Sequence, residues 1–220
     1  LTNLYQNQYF PLLQTKRGEM ASFLVRTVDY TKIELKPVTK IITPPSTSVP
    51  EQLTGTLYDA GWDMKWQVLD ENKTLHLKGY SNNILVGEYV KGSGKSLEGI
   101  SIGMSKVQVE ALTAGKVPRT IAYKEGNYLN TTTNEKLTFE TVSRYVTVFF
   151  DIHNNYKVTS ILALDKAKYM QKPYYYQASS ALQESYEDLM VILMNQSRKE
   201  FGLAQLANSN DSWNFIARKH

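Results

Sequence analysis

Three histidines, His76, His153 and His220, are the side chains best suited to proton transfer or metal ligation in this chain. A zinc site needs three or four converging ligands. His76 alternates with Leu75 and Leu77, so on a strand it points from the opposite face, and His153 falls at a turn. No local His, Asp or Glu spacing completes a ligand set around them, so they read as solvated or hydrogen-bonded side chains and no metal is expected. There is no cysteine, which removes both a thiolate nucleophile and a disulfide framework. No G-x-S-x-G elbow occurs. Lys91-Gly92-Ser93-Gly94-Lys95-Ser96 evokes a phosphate loop, but the Walker spacing would place glycine where Tyr89 stands, and the next helix starts only near Ser105. A flexible linker is the better reading. Glu184 and Asp188 share a helix face, where such pairs are ordinarily solvated surface. No catalytic residue and no cofactor is assigned.

Fifteen tyrosines are the compositional oddity. Trp62, Trp66, Tyr174, Tyr175 and Tyr176 form the candidate binding surface, because their rings could line a groove for a glycan or an extended peptide. The even spacing of Trp62 and Trp66 fits strand packing better, so a sheet-to-helix junction is the preferred role for these rings.

The chain has 220 residues, 42% hydrophobic and 21% charged, which are globular values for one or two domains. A net charge of +4 comes from scattered Lys and Arg with no run of four or more. That scatter argues against a nucleic-acid partner and leaves an ordinary solvated surface. No apolar run approaches the roughly 18 residues of a membrane span.

Organisation follows from turn and cap signals. Residues 1–45 form a lead segment, closed by the stiff pair Pro44-Pro45. Ser48-Val49-Pro50-Glu51 is a capping box that opens a short helix. Alternation at Trp62, Met64, Trp66 and Val68 predicts a strand, and Asn82-Asn83 a hairpin turn before Ile84–Val90. A second copy of the pattern starts at Gly99. Ser105 and Gln108 make another capping box, Val107, Val109, Ala111 and Leu112 supply apolar contacts, and Gly115 stops the helix. Tyr145–Phe150 and Val158–Leu162 are strands around Asn154-Asn155. Residues 126–139 read as an inserted loop. The expected fold class is α+β: two small repeats, 46–90 and 99–165, each a short helix on an antiparallel sheet, followed by a long amphipathic helix over about 178–201. Its apolar face would hold Ala178, Ala181, Leu182, Tyr186, Leu189, Met190, Leu193 and Met194. Gly202 ends it, and Asp211 or Ser212 caps a further helix.

The end of the long helix carries Asn195-x-x-Arg198-x-x-x-Gly202-Leu203-x-x-Leu206, with Ala217-x-x-His220 beyond it. This order and spacing resembles the start of bacterial CAP (SCP/PR-1-like) domains, over about residues 193–220. Gly99–Leu112, the Trp62–Trp66 strand and Tyr80-Ser81-Asn82-Asn83 with Gly87-Glu88-Tyr89 are similar to the CAP-associated N-terminal region that precedes such domains in exported proteins of Gram-positive bacteria. That second resemblance covers 46–175, leaving 176–220 for the long helix and the truncated start of a CAP domain.

The resemblance implies a secreted or cell-surface protein whose CAP domain, in cis, would follow His220. The family's metal-binding or catalytic His and Glu residues would lie further along, so none is carried onto this chain. Asn195, Arg198, Gly202, Leu203 and Leu206 count as structural motif residues. The functional expectation is a non-catalytic extracellular binding or positioning module, its partner a cell-envelope polymer or protein. The alternatives are a scaffold within a CAP-family enzyme, hydrolase-like or metal-dependent, and a protein-binding inhibitor or interaction domain.

Overall fold

The computed structural model describes residues 53, 55–71, 73–173 and 177–206. The lead segment 1–45, the capped helix expected to open at 48–51, Tyr174, Tyr175, Tyr176 and the helix expected from Asp211 lie outside them. Eleven strands are described: β1 (Leu57–Asp59), β2 (Lys65–Glu71), β3 (Thr74–Ser81), β4 (Ile84–Lys91), β5 (Ser96–Leu97), β6 (Ile100–Ser101), β7 (Thr120–Tyr123), β8 (Gly126–Leu129), β9 (Lys136–Glu140), β10 (Arg144–Asp151) and β11 (Lys157–Asp165). Three helices join them: α1 (Lys106–Leu112), α2 (Lys166–Tyr169) and α3 (Ser180–Glu200).

The two expected units do not form two sheets. Seven strands make one antiparallel sheet in the order β1-β2-β3-β4-β11-β10-β9, with two-stranded hairpins β5-β6 and β7-β8 beside it. Alternation along β11 separates two cores. Ile161 and Ala163 join Val90, Val146, Val148, Leu137, Phe139 and Phe150 on one face, closed by Val109 of α1 and by Ile100. Leu164 joins Met64, Trp66, Leu75, Leu77 and Tyr89 on the other face, closed by Leu189 and Leu193 of α3. The two helices therefore cover opposite faces and opposite halves of one sheet.

Local chemistry explains the turns. Asn82 and Asn83 both take positive φ (49° and 60°), the signature of a type I′ turn matching the right-handed strand twist. The second hairpin differs from the tight Asn154-Asn155 turn expected. Its left-handed pair is Asn155 and Tyr156, in a longer loop where the Asp151 carboxylate accepts from His153 N–H at 2.8 Å. The expected strand at Trp62 begins three residues later. Trp62 and Asp63 occupy a turn with φ of 47° and 56°.

Residues 126–139 are not a loop. They supply β8 and most of β9, and Leu137 and Phe139 are buried on alternate positions of the edge strand. The Asn130 side chain stitches the hairpin to that edge by donating to the Pro118 and Thr138 carbonyls, both at 2.9 Å.

Helix α1 has the predicted capping box: Ser105 accepts from Gln108 N–H, and the Gln108 side chain accepts from Ser105 N–H. Of its four apolar residues only Val109 is buried, while Val107 and Leu112 are 74% and 50% exposed. A seven-residue helix has two turns, enough to press one side chain into the sheet. Removing its cap with Ser105→Ala should cost about 1 kcal/mol. A shift in the urea midpoint with unchanged slope checks this.

Helix α3 starts at the Ser179 N-cap, whose hydroxyl accepts from Leu182 N–H at 3.1 Å, and stops before Gly202 at φ 68°. Leu182, Leu189 and Leu193 are buried, but Met190 is 40% exposed, and Ala178 and Ala181 are exposed. The buried stripe ends instead on a polar residue, Gln196, which is 1% exposed.

Candidate functional site

Three convergences of polar and aromatic side chains stand out. The first lies on the sheet face that carries α1. Arg144 opens β10 opposite Asp165, which ends β11, and β4 brings Glu88 alongside. Arg144 donates through Nη1 to Glu88 Oε2 at 2.7 Å and through Nε to Asp165 Oδ1 at 3.0 Å, with Glu98 Oε1 at 3.3 Å from Nη1. His76, a diagonal neighbour on β3, stands with Nε2 3.2 Å from Glu88 Oε1. Bonding from His76, reinforced by Arg144, outweighs burial and holds Glu88 down to about 2. Asp165 moves the other way. Its burial, together with the nearby Glu88 and Glu98 charges, outweighs the Arg144 guanidinium that opposes it. One arginine thus serves three carboxylates and satisfies Glu88 first. The network seams β3, β4, β11 and β10 across the middle of the sheet as an ionic brace.

The second convergence is on the opposite face, around the β1–β2 turn. The Trp62 ring meets Tyr169 of α2 edge-on at 6.2 Å. Tyr169 also packs edge-on against Tyr145 of β10 at 5.4 Å, and its hydroxyl hydrogen-bonds the hydroxyl of Tyr128 of β8. Tyr123 extends the row at 5.8 Å from Tyr128. The Lys172 ammonium lies 5.7 Å from the Trp62 ring centre and 5.2 Å from that of Tyr169. Beneath them Lys168, only 4% exposed, donates to Ser81 Oγ at 2.9 Å and stands 3.7 Å from Asp63. Burial pulls the Lys168 ammonium below its ordinary value, and Asp63 offsets part of that pull.

Trp66 is not part of this surface. It is 4% exposed and lies in the core, because Gly79 and Gly87, cross-strand partners on β3 and β4, leave a slot for its indole. Trp62 packs at the edge of the core cluster that buries Trp66, and Tyr174, Tyr175 and Tyr176 are outside the described residues. Tyr123, Tyr128, Tyr145 and Tyr169 take the places around Trp62. Only the high tyrosine count hinted at them, since they come from four separate elements.

The third convergence is the motif at the end of α3. Asn195 and Arg198, three apart, share a helix face. The Asn195 amide donates to the Leu206 carbonyl at 2.9 Å and accepts from Leu206 N–H at 2.7 Å. Arg198 Nε donates to the Ala204 carbonyl, and Leu203 N–H to the Arg198 carbonyl at 2.8 Å. Gly202 supplies the left-handed reversal that makes this return possible. The motif is a clamp that folds 203–206 back on the helix, leaving Phe201, Leu203 and Leu206 77%, 53% and 40% exposed. Asn195→Ala deletes both side-chain bonds to Leu206. Amide exchange at Leu206 should rise at least about tenfold, the equivalent of about 1.4 kcal/mol, while exchange at Leu189 is unchanged.

Among the described residues, no group of three His, Asp or Glu side chains is placed to hold a metal ion. No described helix is long and apolar enough to cross a membrane.

Residues 58–175 match the family described as CAP-associated N-terminal. The chain belongs to that family. No curated protein matches the sequence. Among the solved structures that share the fold are two bacterial proteins. One is described as an extracellular protein containing a SCP domain from Bacillus anthracis str. Ames, with 14% identity and TM-score 0.55 over 77% of this chain and 67% of that one. The other is described as a cysteine-rich secretory protein from Staphylococcus aureus subsp. aureus Mu50, with 15% identity and TM-score 0.52 over 69% of this chain and 56% of that one. The CAP-associated N-terminal match covers the sheet, the ionic brace and the aromatic junction, and stops before α3 and the Asn195–Leu206 clamp begin.

Proposed function

We propose that this chain is a non-catalytic extracellular module that orients a CAP domain following it in the same protein. The seating of α3 carries the reading. Near its start, Ser185 Oγ accepts from Asp59 N–H at 3.0 Å and the Tyr186 hydroxyl donates to the Ala60 carbonyl at 3.0 Å. Near its end, Gln196 donates to the Lys73 carbonyl at 2.6 Å and Glu200 pairs with Lys91 at 3.4 Å. A helix held to the sheet at both ends, with a clamped exit and apolar residues left facing outward, is built to deliver chain in a fixed direction. Phe201, Leu203 and Leu206 then form the near side of the contact with the CAP domain. The extracellular description of one solved relative supports export. The mirrored order of β2-β3-β4 against β11-β10-β9 is what an ancestral duplication of a three-stranded unit would leave.

The test uses the full-length secreted protein. Leu203→Asp with Leu206→Asp should enlarge its radius of gyration in small-angle scattering and expose the segment after Leu206 to limited proteolysis. A stop codon directly after His220, or unchanged scattering in the double variant, would sink the positioning reading. Binding to purified cell walls or envelope proteins, measured on the same two proteins, would identify the envelope partner. Calorimetric titration with zinc should give no stoichiometric heat.

A further inference from the structure

We infer that the turn from Ala60 to Asp63 and the connector from Lys166 to Lys172 form a latch that sets the direction of the first half of α3. The inference rests on the positioning reading and names the device within the chain that would carry it out.

Two successive non-glycine residues take positive φ in this turn, and one of them, Trp62, is a bulky residue that rarely does so. Left-handed backbone at a bulky residue persists only where its surroundings over-determine it. Here both neighbours on the chain's path to α3 do so. From the connector, Lys172 spans the faces of Trp62 and Tyr169, and buried Lys168 reaches Asp63 and Ser81, which itself donates to Asp63 at 3.1 Å. From α3, Ser185 and Tyr186 bond Asp59 and Ala60. The Asp59 carboxylate closes the turn from within by accepting from Gly61 N–H at 2.8 Å. The connector is fixed separately, to the sheet through Tyr169 on Tyr145 and to the turn of the β7–β8 hairpin through the Lys124 N–H bond to the Lys172 carbonyl at 3.0 Å. The stretch 59–63, which is this turn and the residue before it, is thus gripped by the segment leading into α3 and by α3 itself. Trp62, Asp63, Lys168 and Lys172 are positioning residues in this latch. The far end of α3 has its own anchor at Gln196 and Glu200, so release of the latch frees one end only.

The chain contains no cysteine, so paired spin labels can be placed without background. Val142, 98% exposed at the β9–β10 turn, gives a reference label on the sheet. Exposed Glu184 reports the start of α3, and Phe201, 77% exposed, reports its end. In the otherwise unaltered 220-residue chain both distance distributions should be narrow. Trp62→Asn, which keeps a residue tolerant of positive φ, should about double the width of the 142–184 distribution and leave 142–201 unchanged. Lys172→Met, a milder surface change, should widen 142–184 in the same direction, and Lys172→Arg should restore it. Equal widening at both pairs would show general loosening, and no widening at either would show that the turn does not direct the helix; each overturns the latch. Neither result touches the positioning reading, which is decided on the full-length protein by the exit residues Leu203 and Leu206.

Discussion

Trp66→Ala should lower the stability of the sheet by about 3–5 kcal/mol, the range for removing a large aromatic from a close-packed core. The expectation comes from one cross-strand row. Tyr58, Trp66, Gly79, Gly87 and Leu164 stand opposite one another on β1, β2, β3, β4 and β11. The indole lies across the two glycines. A Cβ built on Gly79 would meet Trp66 Cζ3 at 2.8 Å, and one on Gly87 would meet Leu164 Cδ2 at 2.5 Å and Trp66 Cη2 at 3.2 Å. Glycine is costly in a strand interior, so its presence at two paired positions is explained by the ring that occupies the space. Gly79→Ala should therefore cost about 1–3 kcal/mol in the natural background. It should cost far less beside Trp66→Leu, because the atom it collides with is gone. A double-mutant cycle by urea unfolding measures this coupling. Additive costs would mean that the slot is not what requires glycine at position 79.

That row also shows what a single sequence displays and what it conceals. Short-range signals were legible. The Asn82-Asn83 turn, the Ser105–Gln108 capping box and the Gly202 stop of α3 each depend on residues within a few positions of one another. The alternation at Met64, Trp66 and Val68 marked a strand, yet nothing near Trp66 announced that two glycines 13 and 21 positions away would bury it. The Leu137-Thr138-Phe139 alternation was present but lay inside a stretch rich in Asn and Thr, whose turn chemistry outweighed it. Strand order was hidden for the same reason. The β4–β11 pairing joins residues about 70 positions apart, and it turns two expected units into one sheet.

The candidate site divides along the same line. The clamp of Asn195, Arg198, Gly202, Leu203 and Leu206 spans 12 residues and was visible as a motif, although its hydrogen bonds explain the motif better than any chemistry would. The ionic brace was invisible. Its members His76, Glu88, Arg144 and Asp165 come from four strands that only the completed sheet brings together. Trp62 was legible as an aromatic residue but not as a turn residue, because positive φ at tryptophan goes against local preference and is imposed by tertiary contacts.

The brace gives the other large effect. Arg144→Met keeps most of the aliphatic length and removes the charge, leaving Glu88 and Asp165 facing each other in a half-buried site with only His76 to help. A fully buried pair broken this way costs 3–5 kcal/mol; solvent still reaches this one, so about 2–3 kcal/mol is expected at pH 7. The pH dependence identifies the cause. Glu88 is held down to about 2 in the folded chain, against an ordinary value of 4.5. A carboxylate lowered on folding stabilises the fold above its unfolded value, and that contribution is lost as pH falls from about 4.5 toward 2. Without Arg144, Glu88 loses one of the two partners that lower it, and Asp165 loses the charge opposing its upward shift. The variant should therefore show a flatter decline over this window. Its deficit relative to the natural chain should be largest near neutrality and should shrink as the carboxyls protonate. Urea midpoints at pH 7, 4 and 3 test this directly. A deficit independent of pH would mean that Arg144 acts through packing of its stem, and that the brace contributes nothing electrostatic to the join between the two halves of the sheet.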